Sequence, residues 1–356
     1  MTSSPPPGLL GSDFSHEHIE IFADEASGLR GAIAVHSTAL GPAMGGVRRA
    51  RYASPDALVG DALRLSRAMT FKNAAAQLAL GGGKAVVLDD GLWATTRDAR
   101  LRAFARIIDR LDGRYIAAED VGTTPADMSV IAQETRWVAG CPVGAGGTGD
   151  PSPATARGVF GSLLAAVDVA YGRTDLTGLS VAVLGLGAVG LPLAEMLHRA
   201  GARLVVADID AARTADAASR LGAEVVSVTS LLAADVDVLA PCALGGVIGH
   251  GEAAQLKCSI VVGAANNPLT GDDIADDLHG RDVLYVPDFL ANCGGIIHVG
   301  AEVLGFSKEE VDVRIDQAVR RTGDLLRRAS RERAVPLHLA RAAVATRLAA
   351  PAQVAA

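Results

Sequence analysis

Three residues in the first half of the chain carry groups that could move a proton or hold an anion. Lys84 closes the run Gly81-Gly-Gly-Lys84, Lys72 lies in Met69-Thr-Phe-Lys72-Asn73, and Asp120 lies in Glu119-Asp120-Val-Gly-Thr-Thr124. Glycines remove side-chain cover and let a small substrate approach. A lysine partly buried beside another cation has a lowered pKa and becomes a usable base near neutral pH. Lys72 could hold a carboxylate as a point charge, and Asp120 could pass protons or balance charge. Each also has a plainer reading: the lysines as solvated surface residues, Asp120 as a turn or cap. Spacing alone leaves both readings open.

A second constellation lies further along. The apolar run at 181–184 leads into Gly185-Leu-Gly187-Ala188-Val189-Gly190 and then an apolar helical pattern. This is a G-x-G-x-x-G fingerprint: Gly185 for the tight turn, Gly187 for close approach to a pyrophosphate, Gly190 for packing the helix on the strand. The helix N-terminus then aims N–H groups and a positive dipole end at the phosphates. Gly185, Gly187, Ala188, Val189 and Gly190 are therefore expected to line a dinucleotide. Asp208 ends the next apolar run, 18 residues after Gly190. A carboxylate there accepts from a ribose 2′-hydroxyl and repels a 2′-phosphate, which favours NAD over NADP. The plain alternatives are a glycine-rich turn and, for Asp208, a helix N-cap, a role open to Asp210 as well.

These groups need elements to hold them. Alternation at 18–22 and 31–37 predicts two strands joined by a turn at 25–29. Apolar residues Ala57, Leu58, Ala62, Leu65 and Met69 predict a helix over 56–69. Further strands are expected at 85–88 and 115–118, with helices at 96–111 and 125–134. The glycine- and proline-rich stretch 140–153 is the best domain boundary. Beyond it, strands at 181–184, 204–208, 236–240, 260–264 and 283–286 alternate with helices, the pattern of a doubly wound parallel sheet. Long helices at 307–328 and 337–350 are expected to return to the first domain.

Composition fits this frame. The chain has 356 residues, long enough for two domains, and 40 glycines against an aromatic content of 4%. Charge is balanced, 33 Lys+Arg against 40 Asp+Glu, with no basic stripe, so a nucleic-acid or anionic-membrane partner is not expected. The most apolar stretch, 179–194, is a strand–loop–helix unit rather than a membrane span. Cys141, Cys242, Cys258 and Cys293 form no C-x-x-C pair and no zinc-type spacing with His. They read as reduced cysteines of a cytoplasmic protein, and no metal is expected. The N-terminal Pro/Ser/Gly segment has no basic or apolar signal region and reads as a disordered lead-in.

Taken as a set, the motifs resemble the amino-acid dehydrogenases of the glutamate/leucine/phenylalanine/valine group. They are GPAMGG (41–46), MTFKNAAA (69–76), LGGGKAV (80–86), EDVGTT (119–124), GGTGDPSPATARGV (146–159), GLGAVG (185–190), APCALGG (240–246), GAANN (263–267) and PDFLANCGGIIH (287–298). The resemblance implies an α/β fold of two domains with a cleft between them. Residues 1–145 with 331–356 would form the substrate-binding, catalytic and oligomerisation domain, and 146–330 the Rossmann NAD-binding domain. It implies reversible oxidative deamination of an L-amino acid to a 2-oxo acid and ammonium, with NAD as cofactor, in a homo-oligomer, a dimer or larger. Lys72 resembles the lysine that binds the substrate α-carboxylate. Lys84 resembles the base that activates water for attack on the iminium carbon, and Asp120 the acid that exchanges protons with the amino group. Gly45 and Gly46 would offer backbone contacts to substrate. Thr155 and Asn266 would orient nicotinamide and substrate, although alone they read as a helix cap and a turn.

The side-chain pocket is expected at Met44, Ala118, Ile296 and Val299. The glutamate branch carries a lysine at the position of Met44 and a serine at that of Val299. Here both are apolar, so a buried γ-carboxylate would lack a partner. Bulky Ile296 and the methyl of Ala118 suggest a short pocket for valine, leucine or isoleucine, with phenylalanine as the alternative substrate. A catalytically silent dinucleotide-binding protein is the alternative of a different class. Gln77, Asp150 and Val47 depart from the family's usual glycine, asparagine and threonine.

Overall fold

The computed structural model describes residues 15–243 and 245–350. The expected lead-in at the N-terminus lies largely outside the described residues. Contacts divide the chain into two units. One comprises the residues through Asn73 with Ala79–Gly147; the other comprises Ala74–Leu78 and the residues from Thr148 onward.

The first unit runs β1 (His18–Asp24), β2 (Leu29–Ser37), β3 (Ala43–Ala50), α1 (Pro55–Ala75), β4 (Gly81–Leu88), α2 (Trp93–Arg110), β5 (Tyr115–Glu119) and α3 (Pro125–Ala132). Its five-stranded sheet has the order β1-β2-β4-β3-β5. β1, β2 and β4 pair antiparallel, while β3 pairs parallel with both β4 and β5. Alternate residues face opposite sides of a strand. Thus Ile33, Val35, Ala85 and Val87 join a core with Phe104 and Ile108 of α2 and Met128 of α3. Ala32, Ala34 and Val86 pack instead under Leu58, Val59 and Ala62 of α1. The result is a sheet covered by helices on both faces.

Two elements differ from expectation in ways that matter for chemistry. The helix expected to stop at Met69 continues to Ala75, so Lys72 stands in its last turn. The strand expected to begin at Ala85 begins at Gly81, so Lys84 lies inside the strand rather than at its mouth.

His36 on β2 meets α1 in the buried layer. Its Nδ1 is 2.8 Å from Thr70 Oγ1, and its ring stands edge-on to His16 at 4.9 Å. Burial, then the charges of His16 and Arg67, hold its pKa down to about 4 from 6.5, against a weak opposing effect of Glu17. The unfolded chain therefore binds a proton near pH 6.5 that the folded chain refuses until about pH 4. Stability from this group is complete above pH 6.5 and drains as pH falls toward 4. The urea midpoint is expected to drop across that window, and to drop less in His36→Gln. Equal slopes in the two proteins would exclude His36 as the source.

The second unit runs α4 (Ser152–Tyr171), β6 (Ser180–Leu184), α5 (Gly190–Arg199), β7 (Arg203–Ala207), α6 (Ala211–Leu221), β8 (Glu224–Val225), α7 (Val228–Leu232), β9 (Val238–Pro241), α8 (His250–Gln255), β10 (Ile260–Val261), α9 (Asp273–Gly280), β11 (Leu284–Tyr285), α10 (Asp288–Ala291), α11 (Gly294–Leu304), α12 (Lys308–Glu332) and α13 (Pro336–Ala349). Its six strands are ordered β11-β10-β9-β6-β7-β8, and every pair is parallel. This is the doubly wound dinucleotide order, whose switch point falls between β6 and β9. The closing helices α12 and α13 group with this unit, not with the first as expected. α12 packs along α4 and α11, and its buried Ile315, Ala318, Leu326 and Ala329 form the stripe that requires a partner. Among the described residues no helix is long and apolar enough to cross a membrane.

Candidate active site

In the first unit, β4 presents Lys84 on the face shared with Val86, beneath α1. Lys84 is 5% exposed, and its Nζ lies 2.9 Å from Asp120 Oδ2. Asp120 follows directly on β5. The same oxygen accepts from Arg48 Nε at 3.0 Å. Burial would push the Asp120 carboxyl up, but the charges of Lys84 and Arg48 outweigh it and hold the group at about 2. The expected neighbour of Lys84 was a cation; the neighbour found is a carboxylate, with Arg48 beyond it. The pair forms an acid–base couple whose lysine is buried and whose carboxylate keeps partial access to solvent.

Glycines make this arrangement possible. A Cβ on Gly46 would lie 2.6 Å from Asp120 Cβ, and one on Gly45 would lie 1.9 Å from the Gly83 carbonyl oxygen. Both glycines are thus required by internal packing, whatever they offer a substrate. The Tyr115 hydroxyl donates to the Gly45 carbonyl at 2.7 Å and fixes the strand there. The last turn of α1 sits on the other end of β4. A Cβ on Gly82 would overlap Thr70, and Asn73 Nδ2 donates to the Gly81 carbonyl. The half-buried Lys72 is therefore carried by a turn seated two residues from Lys84. Met44 is fully buried on β3, and Ala118 is buried on β5 opposite Gly46.

In the second unit, Gly185 has φ +95°, a conformation natural only to glycine. A Cβ on Gly190 would lie 1.9 Å from the Gly185 carbonyl oxygen, whereas one on Gly187 would meet nothing nearer than Arg213 at 3.8 Å. The middle glycine is the open one, as close approach of a pyrophosphate requires. α5 begins at Gly190 with no side chain capping its N-terminus. Ala188 and Val189 complete the loop. Asp208 Oδ2 accepts from Leu186 N at 2.6 Å, and its Oδ1 accepts from Asp210 N at 2.8 Å. The α6 cap is Asp210, which accepts from Ala212 N at 2.9 Å. Asp208 is thus released from the capping role. These features fit a nicotinamide dinucleotide at the switch point.

The remaining expected residues also fall in this unit. Thr155 stands in the first turn of α4 and donates to the Pro151 carbonyl at 3.0 Å, so it is not the cap. Asn266 Oδ1 accepts from Asn292 Nδ2 at 3.0 Å. Ile296 and Val299 lie one turn apart on α11. Gly294 and Gly295 let α11 dock on α4: a Cβ on Gly295 would come within 2.4 Å of Thr155 Oγ1.

Sequence reasoning missed two residues. Arg48 reaches Asp120 only because β3 and β5 pair in register; in the sequence it is one of the paired arginines Arg48-Arg49 after the GGV run, which read as a surface. Asn292, 3% exposed, positions Asn266 and lay unremarked inside PDFLANC. Of the departures, Gln77 has φ +60°, which accounts for the family's glycine there, and its Oε1 accepts from Arg347 of α13. Asp150 accepts from Ser152 N at 2.8 Å at the start of α4. The Val47 side chain faces the α2 core, away from Lys84. Burial pushes the Cys242 thiol up to about 12 and the Cys258 thiol to about 11, as befits packed residues.

A parallel dinucleotide sheet and, in the same chain, a lysine–aspartate pair fit a nicotinamide-dependent dehydrogenase. The comparisons with known proteins make the class narrower. Residues 16–137 match the Glu/Leu/Phe/Val dehydrogenase dimerisation domain, and residues 209–355 match the Glutamate/Leucine/Phenylalanine/Valine dehydrogenase model. A leucine dehydrogenase of Geobacillus stearothermophilus is 44% identical over 304 residues, covering 85% of this chain and 83% of that one. A valine dehydrogenase of Streptomyces virginiae is 42% identical over 82% of each chain. The crystal structure of L-tryptophan dehydrogenase from Nostoc punctiforme superposes with a TM-score of 0.79 at 36% identity, covering 94% of this chain and 96% of that one. The chain belongs to the Glu/Leu/Phe/Val dehydrogenase family and is an amino-acid dehydrogenase.

Proposed function

We propose that the protein catalyses reversible, NAD-dependent oxidative deamination of an apolar L-amino acid, with valine, leucine or isoleucine preferred. The observation that carries this reading is the buried Lys84–Asp120 pair, 2.9 Å apart, beside the turn that bears Lys72. The first unit would bind substrate and the second the dinucleotide.

The dinucleotide supplies the acceptor for the hydrogen removed from the substrate α-carbon. Lys72 would hold the α-carboxylate as a point charge. Lys84 would take a proton from the attacking water at its Nζ, and Asp120 would exchange protons with the amino group through its carboxylate. Gly45 and Gly46 would offer backbone groups to the substrate. Gly185, Gly187, Ala188, Val189, Gly190 and Asp208 would hold the dinucleotide, with Thr155 and Asn266 orienting its reactive ring. Retention of Lys72, Lys84 and Asp120 favours an active enzyme over a silent binder, which has no use for a buried lysine–carboxylate couple.

The residues expected to face the substrate side chain, Met44 and Ala118 in the first unit and Ile296 and Val299 in the second, are apolar. None is charged, so a substrate γ-carboxylate would find no partner among them. A panel of L-amino acids, followed by NADH absorbance, tests the reading. The branched-chain substrates are expected to exceed phenylalanine and tryptophan by about tenfold or more in kcat/KM, and glutamate by about a thousandfold. Phenylalanine or tryptophan far ahead would overturn the pocket assignment. Inactivity on every amino acid would restore the silent binder. The match of residues 16–137 to a dimerisation domain supports a homo-oligomer, a dimer or larger; a cytoplasmic location is part of the same proposal and rests on the cysteines that read as reduced.

A further inference from the structure

Asp120 is held from two sides. Lys84 approaches from β4, and Arg48 approaches from β3, both on the same carboxylate oxygen. The Arg48 side chain is only 19% exposed, and its Nη1 lies 3.3 Å from Asp61 Oδ2 on α1. Asp61 is itself clamped. Tyr52 donates to its Oδ2 at 2.7 Å, and Arg64 donates to its Oδ1 at 2.6 Å. A continuous line therefore runs Lys84–Asp120–Arg48–Asp61, closed by Tyr52 and Arg64. Tyr115 and Tyr52 also feel the charge of Asp120, and Glu119 adjoins it in the chain.

We infer that Arg48 is a positioning residue that returns Asp120 to its charged, proton-accepting form between proton exchanges and keeps it aimed while the charge on Lys84 changes, and that Asp61, Tyr52 and Arg64 lock Arg48 in place. The inference rests on the reading of Lys84 as the group that gives and takes the proton. When Lys84 is neutral, Asp120 loses one of its two cations. A buried carboxylate without a counter-charge takes up a proton instead. Arg48 stays protonated throughout, because a guanidinium is not deprotonated in proteins. It is the fixed charge of the trio. Asp61 makes it fixed in place as well, since its fork is held at a second point.

The test compares Arg48→Met, Arg48→Lys and Asp61→Asn with the intact protein. Arg48→Met is expected to lower kcat by about tenfold or more while KM for the amino acid moves less, because the residue touches Asp120 and not the substrate. Without Arg48 the Asp120 carboxyl, held at about 2 in the intact protein, takes up a proton at higher pH, so the acid limb of kcat/KM is expected to move upward by about one pH unit or more. Arg48→Lys restores the limb by keeping the charge, but only part of kcat, since it loses the fork. Asp61→Asn lowers kcat modestly and leaves the limb in place. A limb unmoved in Arg48→Met overturns the inference, as does one moved equally in Arg48→Lys. Should Arg48→Met fail to fold because Asp61 is left without its counter-charge, the double variant Arg48→Met with Asp61→Asn removes both charges, and its limb must still move.

A second readout needs no turnover. Infrared difference spectra against Asp120→Asn follow the Asp120 carboxylic C=O stretch as pH falls. That band is expected in Arg48→Met at a pH where the intact protein is folded and shows none, and equal band intensity in the two proteins at every pH where both are folded overturns the inference. A protein inactive on every amino acid but with separated titrations would reject the proposed reaction and retain the role of Arg48.

Discussion

Lys84→Met is expected to lower turnover of the best amino acid substrate by about 10²–10⁴-fold, the range for loss of a positioned acid–base group. Methionine keeps the length of the stem in a site where only 5% of the residue is exposed, so the cavity stays filled. What disappears is the Nζ that sits 2.9 Å from Asp120. Breaking a buried ion pair usually destabilises strongly, because the surviving charge is stranded. Here Arg48 remains 3.0 Å from the same oxygen, so Asp120 is not stranded and the fold is expected to survive. Loss of Lys84 nevertheless weakens what holds the carboxyl near 2, and its pKa must rise. Asp120→Asn combined with Lys84→Met should then cost little more than Lys84→Met alone, since the two groups act as one couple. Steady-state rates, thermal unfolding and fluorescence titration with NADH together separate lost chemistry from lost structure. Turnover within tenfold of the intact protein, with normal folding, would remove Lys84 from the reaction.

The parts of this site that were legible in the sequence are those whose meaning is local. Parallel strands buried on both faces read as apolar runs, so β6, β7 and β9 stood out near their final bounds. The three glycines at 185, 187 and 190 act within six residues, and their roles follow from spacing. β3 was not legible. Its sequence, AMGGVRRA, carries the two glycines that Gly83 and Asp120 require, and glycine weakens a strand signal while cation pairs resemble a surface. Missing β3 hid Arg48, whose partner lies 72 residues away across a register that no local pattern encodes. The same cause misplaced Lys84: with Gly81–Gly83 read as loop, the strand seemed to start after the lysine. The grouping of α13 was illegible for another reason. Its apolar stripe says that it must be covered, not by what. Gln77 shows the reverse case. A departure from the family's usual glycine is a left-handed residue tied to Arg347, and both residues belong to the second unit.

Asp208→Asn is expected to erase most of the discrimination between NAD and NADP. The side chain ends β7, and each carboxylate oxygen already accepts one backbone N–H, from Leu186 and from Asp210. A carboxylate offers about four acceptor sites, so capacity remains for a ribose hydroxyl. A hydrogen bond to a charged acceptor contributes about 1.5–3 kcal/mol, so its loss should lower kcat/KM for NAD by about 10–100-fold. The same change removes the negative charge that opposes a 2′-phosphate. Arg213 waits nearby: it pairs with Asp210 at 3.3 Å, and its Nη1 is the nearest group to the open face of Gly187. Its cation is then available to a phosphate that Asp208 no longer repels, so kcat/KM for NADP should rise as that for NAD falls. Asparagine keeps the shape and one acceptor for Leu186 N, which holds the glycine loop in place and separates cofactor choice from folding. Adding Arg213→Ala should cancel the gain with NADP while leaving the loss with NAD. An intact protein that prefers NADP would overturn the assignment of NAD. An unchanged ratio in Asp208→Asn would mean that discrimination, if present, comes from elsewhere than the end of β7.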